Sequence, residues 1–133
     1  MLTPLPAIIT TTTEYIGLPK AHLAKLSEMF EDKITYDGLY KNYTTDCNID
    51  VTAVPTLALL LNTPNPEKPG GDLNITGDQY IDRKHPLPNG KCVVMFEDSK
   101  SGGFGAEFYF GLSIFKSQCV SFDYDNQRIG FTL

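Results

Sequence analysis

Four consecutive threonines, Thr10 to Thr13, run directly into Glu14. A threonine hydroxyl is not a general base near neutral or acidic pH. Nothing adjacent in the chain supplies a nucleophile with its base, so the plain reading of the run is the polar end of a strand. Ser113, His22 and Asp123 contain the residue types of a hydrolytic triad. No oxyanion signature accompanies Ser113, and His22 falls on the polar side of a predicted helix, so a surface histidine is expected. His85, in Lys84-His85-Pro86, reads as a loop residue. The run Asp123-Tyr124-Asp125-Asn126-Gln127 lacks the glycine and the closing glutamate of a calcium loop and reads as a hairpin turn. Ser101-Gly102-Gly103-Phe104-Gly105 has no following Lys-Ser/Thr and is a loop rather than a phosphate cradle.

Cys47, Cys92 and Cys119 are widely spaced, without a CxxC or His-Cys cluster, so neither a zinc site nor any other cofactor is expected. One disulfide plus one further thiol is the simplest count, and Cys119, in a strand-like segment, is expected to be buried and inert. Asn42-Tyr43-Thr44 and Asn74-Ile75-Thr76 are glycosylation sequons, which matter only in a secreted chain.

These groups sit in a chain of 133 residues, which suits one domain spanning residues 1–133. The net charge of −5 and the absence of a basic patch argue against a nucleic-acid partner. The longest apolar run, Leu57 to Leu61, is strand length and too short to cross a membrane. Met1-Leu2-Thr3-Pro4 lacks the charged start and apolar core of a leader. Either a leader has been removed or the chain is a piece of a longer protein.

Apolar patterning supplies the elements. Ala7-Ile8-Ile9 is a short β-branched run that reads as a buried strand entering a turn. Pro19 sits where a helix starts without needing an amide donor, and Leu23, Leu26 and Phe30 share one helical face, so residues 19–30 form a short amphipathic helix. Strands are expected within Val51 to Thr63, at Leu73 to Thr76, at Tyr80-Ile81, at Val93 to Phe96 and at Phe108 to Phe110. The stretch Pro64 to Asp72 reads as an exposed loop. Leu112 to Ser117 reads as a turn or two of helix, and the end as a hairpin turning at Tyr124 to Gln127. The sum is a β-dominated domain with two short helices.

Several of these stretches, taken in order, resemble the C-terminal lobe of the pepsin-like aspartic proteases. The run from Phe108-Tyr109-Phe110-Gly111 through Phe122-Asp123, Asn126 and Ile129-Gly130-Phe131 follows the family's ending, with Leu112 where the family usually has Asp. Val54-Pro55-Thr56-Leu57 and Gly77-Asp78-Gln79-Tyr80-Ile81 resemble two further family segments. Cys47 and Cys92 match the lobe's disulfide pair, a bond that would stabilise by about 3–4 kcal/mol in the chain-entropy model. Ala7-Ile8-Ile9 and Gly17-Leu18-Pro19 bracket the place of the family's Asp-Thr-Gly-Thr-Ser, which here reads Thr10-Thr11-Thr12-Thr13-Glu14.

The resemblance implies a mainly β, barrel-like lobe without the N-terminal lobe. It also implies a secreted or lysosome-like acidic compartment. The family's chemistry needs two carboxyl groups on one water, one acid and one base, with pKa values forced apart by their closeness. Thr10 stands at the aspartate position, so no dyad forms, even in a homodimer. Glu14 lies four residues on and would have to swing far to reach the water. Thr11 keeps the family's middle threonine. Thr12 replaces a glycine and is expected to reshape or strain the turn. The expectation is an inactive relative that binds a peptide or protein partner, with Thr12, Thr13 and Tyr109 as groove contacts, although Tyr109 may equally be core. The alternative is one lobe of an endopeptidase completed by another chain. A homodimer, or pairing through an exposed sheet edge, is a separate expectation about partners.

Overall fold

The computed structural model describes residues 6–60, 71–101, 106–116 and 118–131. Apolar runs of two to five residues, punctuated by Gly, Pro and polar turns, favour short strands over long helices. The elements in chain order are β1 (Ala7–Ile9), β2 (Ile16–Leu18), α1 (Lys20–Met29), β3 (Thr35–Asp37) and β4 (Asn42–Asp46). Then follow β5 (Leu57–Leu60), β6 (Asp72–Ile75), α2 (Gly77–Tyr80), β7 (Ile81–Asp82) and β8 (Lys91–Val94). The chain continues with β9 (Phe96–Asp98), β10 (Phe108–Phe110), β11 (Val120–Asp123) and β12 (Arg128–Phe131). Short 3₁₀ turns lie at Glu31–Lys33, Val51–Ala53 and Leu112–Lys116. The fold is mainly β, as one lobe of a pepsin-like protease would be.

One sheet has the order β1-β10-β2-β9, with β1 parallel to β10, β10 antiparallel to β2, and β2 parallel to β9. Strand β10 comes from far along the chain yet lies between β1 and β2, which are neighbours in sequence. The residues joining β1 to β2 must therefore arch over the end of β10. A second sheet, β3-β4-β8-β7, is antiparallel throughout, and two hairpins, β5–β6 and β11–β12, complete the strands.

The core fills the space between the sheets and α1. Leu23 and Leu26 on one face of α1, and Phe30 at its C-cap, are buried, as their spacing predicts. Phe30, Tyr80 and Phe96 meet as an aromatic cluster, with Tyr80 and Phe96 ring centroids 4.8 Å apart. Tyr80 is wholly buried, and its hydroxyl donates to the Pro55 carbonyl at 2.6 Å, which satisfies the polar end of a ring otherwise among apolar groups.

Several expectations shift. Tyr80 ends a helix rather than opening a strand. Thr76 accepts from the Gln79 amide while Gln79 reaches back to the Thr76 amide, and this capping box winds residues 77–80 before β7 begins. The apolar run Val93–Phe96 is split at Met95 between β8 and β9, which belong to different sheets. Within Val51 to Thr63, residues 51–53 form a 3₁₀ turn before β5, and residues 61–63 lie outside the described residues. Most of the expected Pro/Gly loop at 64–72 and residues 102–105 also lie outside them. Cys119 is exposed rather than buried, because it leads into the β11–β12 hairpin, whose residues are largely solvent-facing.

Candidate functional site at the threonine loop

The loop Thr10–Tyr15 is held at both ends by the backbone. The Thr10 amide donates to the Phe110 carbonyl at 3.0 Å, which extends the β1–β10 ladder by one residue. On the return side, Gly111 donates to the Tyr15 carbonyl at 3.0 Å and Leu112 to the Thr13 carbonyl at 2.8 Å. Gly111 is required here by space. A Cβ at this position would lie 2.3 Å from the Thr13 carbonyl oxygen and 2.6 Å from that of Tyr15. The glycine therefore lets two backbones touch where β10 ends.

Within the loop the hydroxyls bond to one another. Thr10 Oγ1 and Thr12 Oγ1 are 2.8 Å apart, and the Thr12 amide donates to Thr10 Oγ1 at 3.2 Å. Thr13 Oγ1 accepts from the Tyr15 amide at 3.2 Å. Thr11 and Thr12 are exposed, and Thr10 and Thr13 half-buried. Thr12 does not have a positive φ; among the described residues the non-glycine positions that do are Glu31, Lys41, Lys100 and Gln127. Glu14 is exposed.

Tyr109, on β10, has different neighbours. Its ring lies against Gly17 of β2, where a Cβ would stand 2.0 Å from a ring carbon, and its hydroxyl donates to the Glu97 carboxylate on β9. Burial first, then the bond to Glu97, raise the Tyr109 phenol above its ordinary value. Thr12 and Thr13 thus share one loop, while Tyr109 buttresses the sheet that carries it.

Two residues that sequence reasoning passed over complete the surroundings. Glu97 is one. The other is Tyr15, whose hydroxyl donates to Asn42 Oδ1 at 2.8 Å and so ties the loop to β4. Burial raises the Tyr15 phenol, the charges of Glu97 and Glu14 add to this, and the Asn42 bond opposes it. Neither residue carries a motif; only the register of β2 against β9 reveals their nearness.

The remaining sequence candidates are dispersed. Ser113 is fully buried, and its hydroxyl has no hydrogen-bond partner among the described residues. His22 stacks edge-on against Phe108, with ring centroids 5.2 Å apart. Asp123 accepts from the Asn126 side chain at 2.8 Å in the hairpin turn. These three form no triad. His85 is exposed and bonds Asp82 at 3.1 Å. Among the described residues no cluster of His, Cys, Asp and Glu could hold a metal ion. Cys47 and Cys92 are joined. A cleft of about 320 Å³ lies elsewhere, against β4, with Lys33, Asp46 and Lys91 in its lining, and none of the expected site residues touches it.

Comparison with known proteins agrees with the fold. A sequence profile of the family described as eukaryotic aspartyl protease matches residues 2–133. Aspartic protease 1 of Caenorhabditis elegans is 26% identical over 124 residues, which is 93% of this chain and 28% of that protein. The crystal structure of basic 7S globulin from soybean superposes with a TM-score of 0.71 at 19% identity, over 95% of this chain and 33% of that one. The chain therefore spans about a third or less of the length of these relatives.

Proposed function

The chain belongs to the eukaryotic aspartyl protease family, and on that premise we propose that it is a non-catalytic member that binds an extended peptide or protein segment at the Thr10–Thr13 loop. The observation that carries this reading is the Thr10–Thr12 hydroxyl pair at 2.8 Å. Two neutral hydroxyls stand where acid–base chemistry would require a titrating carboxyl group. They can still donate to and accept from a peptide backbone. Thr12 and Thr13 are the proposed contacts, with Tyr109 supporting them from β10. A secreted or acidic setting suits the reading, since the Cys47–Cys92 bond belongs to an oxidising compartment.

The test measures both halves. The chain is incubated with peptide substrates below about pH 5, where paired aspartates work, and titrated with a pepstatin-type ligand by NMR. The expected outcome is no hydrolysis, with signals of Thr12 and Thr13 shifting on binding. Cleavage that is lost in Glu14→Gln overturns the proposal.

A second reading is one lobe of an endopeptidase completed by another chain. It is favoured by β1, which lies at the edge of its sheet among the described residues, with Ala7 and Ile8 exposed. Acid peptidase activity that appears only on mixing with a second chain, and that survives Glu14→Gln, would select it.

A further inference from the structure

The two sequons occupy unlike environments. Asn74 lies on β6, where Leu73 and Ile75 point inward and are almost wholly buried while Asn74 faces solvent. Thr76, the hydroxyl residue of that sequon, is also exposed. Asn42 opens β4 and is half-buried, and both ends of its amide are engaged. Its Oδ1 accepts from the Tyr15 hydroxyl at 2.8 Å, and its Nδ2 donates to the Tyr40 carbonyl at 3.0 Å. Thr44, the hydroxyl residue of the second sequon, is only 4% exposed.

We propose that Asn74 is the N-glycosylation site of this chain and that Asn42 remains unmodified, because its amide is a structural strut between β4 and the threonine loop. In glycosylation, a bond forms between Asn Nδ2 and the anomeric carbon of an oligosaccharide carried on a lipid pyrophosphate. The pyrophosphate leaves with the bonding pair, and Nδ2 gives up one proton. The transferase must therefore reach both Nδ2 and the hydroxyl two residues on. At Asn74 both residues are exposed on the folded chain, although the Thr76 hydroxyl also takes part in the capping box with Gln79. At Asn42 the hydroxyl residue is buried, and the nitrogen lies at hydrogen-bond distance from a carbonyl, where a bulky sugar would displace it. A sugar added at Asn42 before folding would also disturb the Tyr15 contact, so such chains fold poorly and are depleted from secreted material.

The proposal rests on the secretory reading above, and two arms keep the two apart. In the first, the chain is directed through the secretory pathway of a eukaryotic host by a borrowed leader. The secreted product is treated with an amidase that removes N-glycans in heavy-oxygen water, and its peptides are mapped by mass. The expected result is heavy-oxygen aspartate at position 74 and its loss to background at position 42, in material whose Cys47–Cys92 bond is formed. Label at position 42 matching that at 74, or no label at 74 while the disulfide is present, overturns the proposal. In the second arm the natural protein is isolated from its source and mapped in the same way. A natural chain with reduced Cys47 and Cys92 and no glycan overturns the secretory reading, while the first arm still decides between the two asparagines.

Discussion

Gly111 shows how one missing side chain shapes the site. The backbones of residues 13–15 pass so close that any Cβ must push two carbonyls aside, and those residues hold the loop through the Gly111 and Leu112 amides. Gly111→Ala is expected to lower stability by about 3 kcal/mol, the upper end of the range for overpacking, because backbone cannot rotate away as a side chain would. Urea unfolding measures it, and a change near zero would mean the two segments do not touch in solution. Ser113 presents the opposite case. Its buried hydroxyl has no partner among the described residues, so Ser113→Ala should raise stability by about 1 kcal/mol. A loss instead would place a bound water on that hydroxyl. The buried phenols add a dependence on pH. Tyr15, Tyr80 and Tyr109 all have raised pKa values in the fold, with burial the leading cause. Below about pH 10, the ordinary phenol value, folded and unfolded chains both keep these protons and the stabilisation is whole. Above it the unfolded chain ionises first, so stability should fall as pH rises toward the folded values. Melting temperatures recorded across the alkaline range test this, and a flat profile would contradict the burial of these rings.

At the scale of elements, turns and caps are tuned by exposed carboxylates. Asp50 accepts from the Thr52 hydroxyl at 2.7 Å and the Thr52 amide at 2.9 Å, and these bonds, the hydroxyl first, hold its pKa below the ordinary value. Asp123 is lowered in the same way by Asn126 at the β11–β12 turn. A depressed carboxylate contributes above its unfolded pKa and loses that contribution as pH falls through the folded one. Both turns should therefore loosen below the ordinary carboxylate pKa rather than at it. Following the Thr52 and Asn126 amide signals down the pH range checks this, and signals that move at the ordinary carboxylate pKa would refute it. The same scale explains what could be read from the sequence. Helix α1 was readable because Leu23, Leu26 and Phe30 repeat at helical spacing after a proline, and the last hairpin because a polar turn separates two alternating runs. Strands β3 and β4 were not. Thr35-Tyr36-Asp37 and Asn42 to Asp46 are mostly polar, and they become strands because β8 lies beside β4 and supplies the ladder. Such tertiary pairing overrides weak local preference. At the site, the threonine run was evident from residue type alone, whereas Glu97 and Tyr15 join it only through sheet register.

For the whole molecule, one covalent link closes a long loop. Cys47, just beyond β4, and Cys92, in β8, are 45 residues apart in sequence, and the segment between them contains both hairpin strands β5 and β6, α2 and β7. The strands they join are already neighbours in register, Thr45 opposite Cys92, so the bond fits the folded sheet and acts chiefly on the unfolded chain. Closing a loop of this length should remove unfolded-state entropy worth about 4 kcal/mol. A domain of this size has roughly 5–15 kcal/mol of total stability, so reduction should bring it close to unfolding without abolishing the fold at low temperature. The pairing β5–β6 and the packing of α2 lie inside the loop and should loosen first, while β1, β2 and β10, outside it, keep the threonine loop in place. Hydrogen exchange on the reduced chain distinguishes these regions. Faster exchange at residues 57–60 and 72–81, with residues 7–18 and 108–112 still protected, is the expected pattern. Uniform loss of protection would show instead that the two sheets unfold as one cooperative unit.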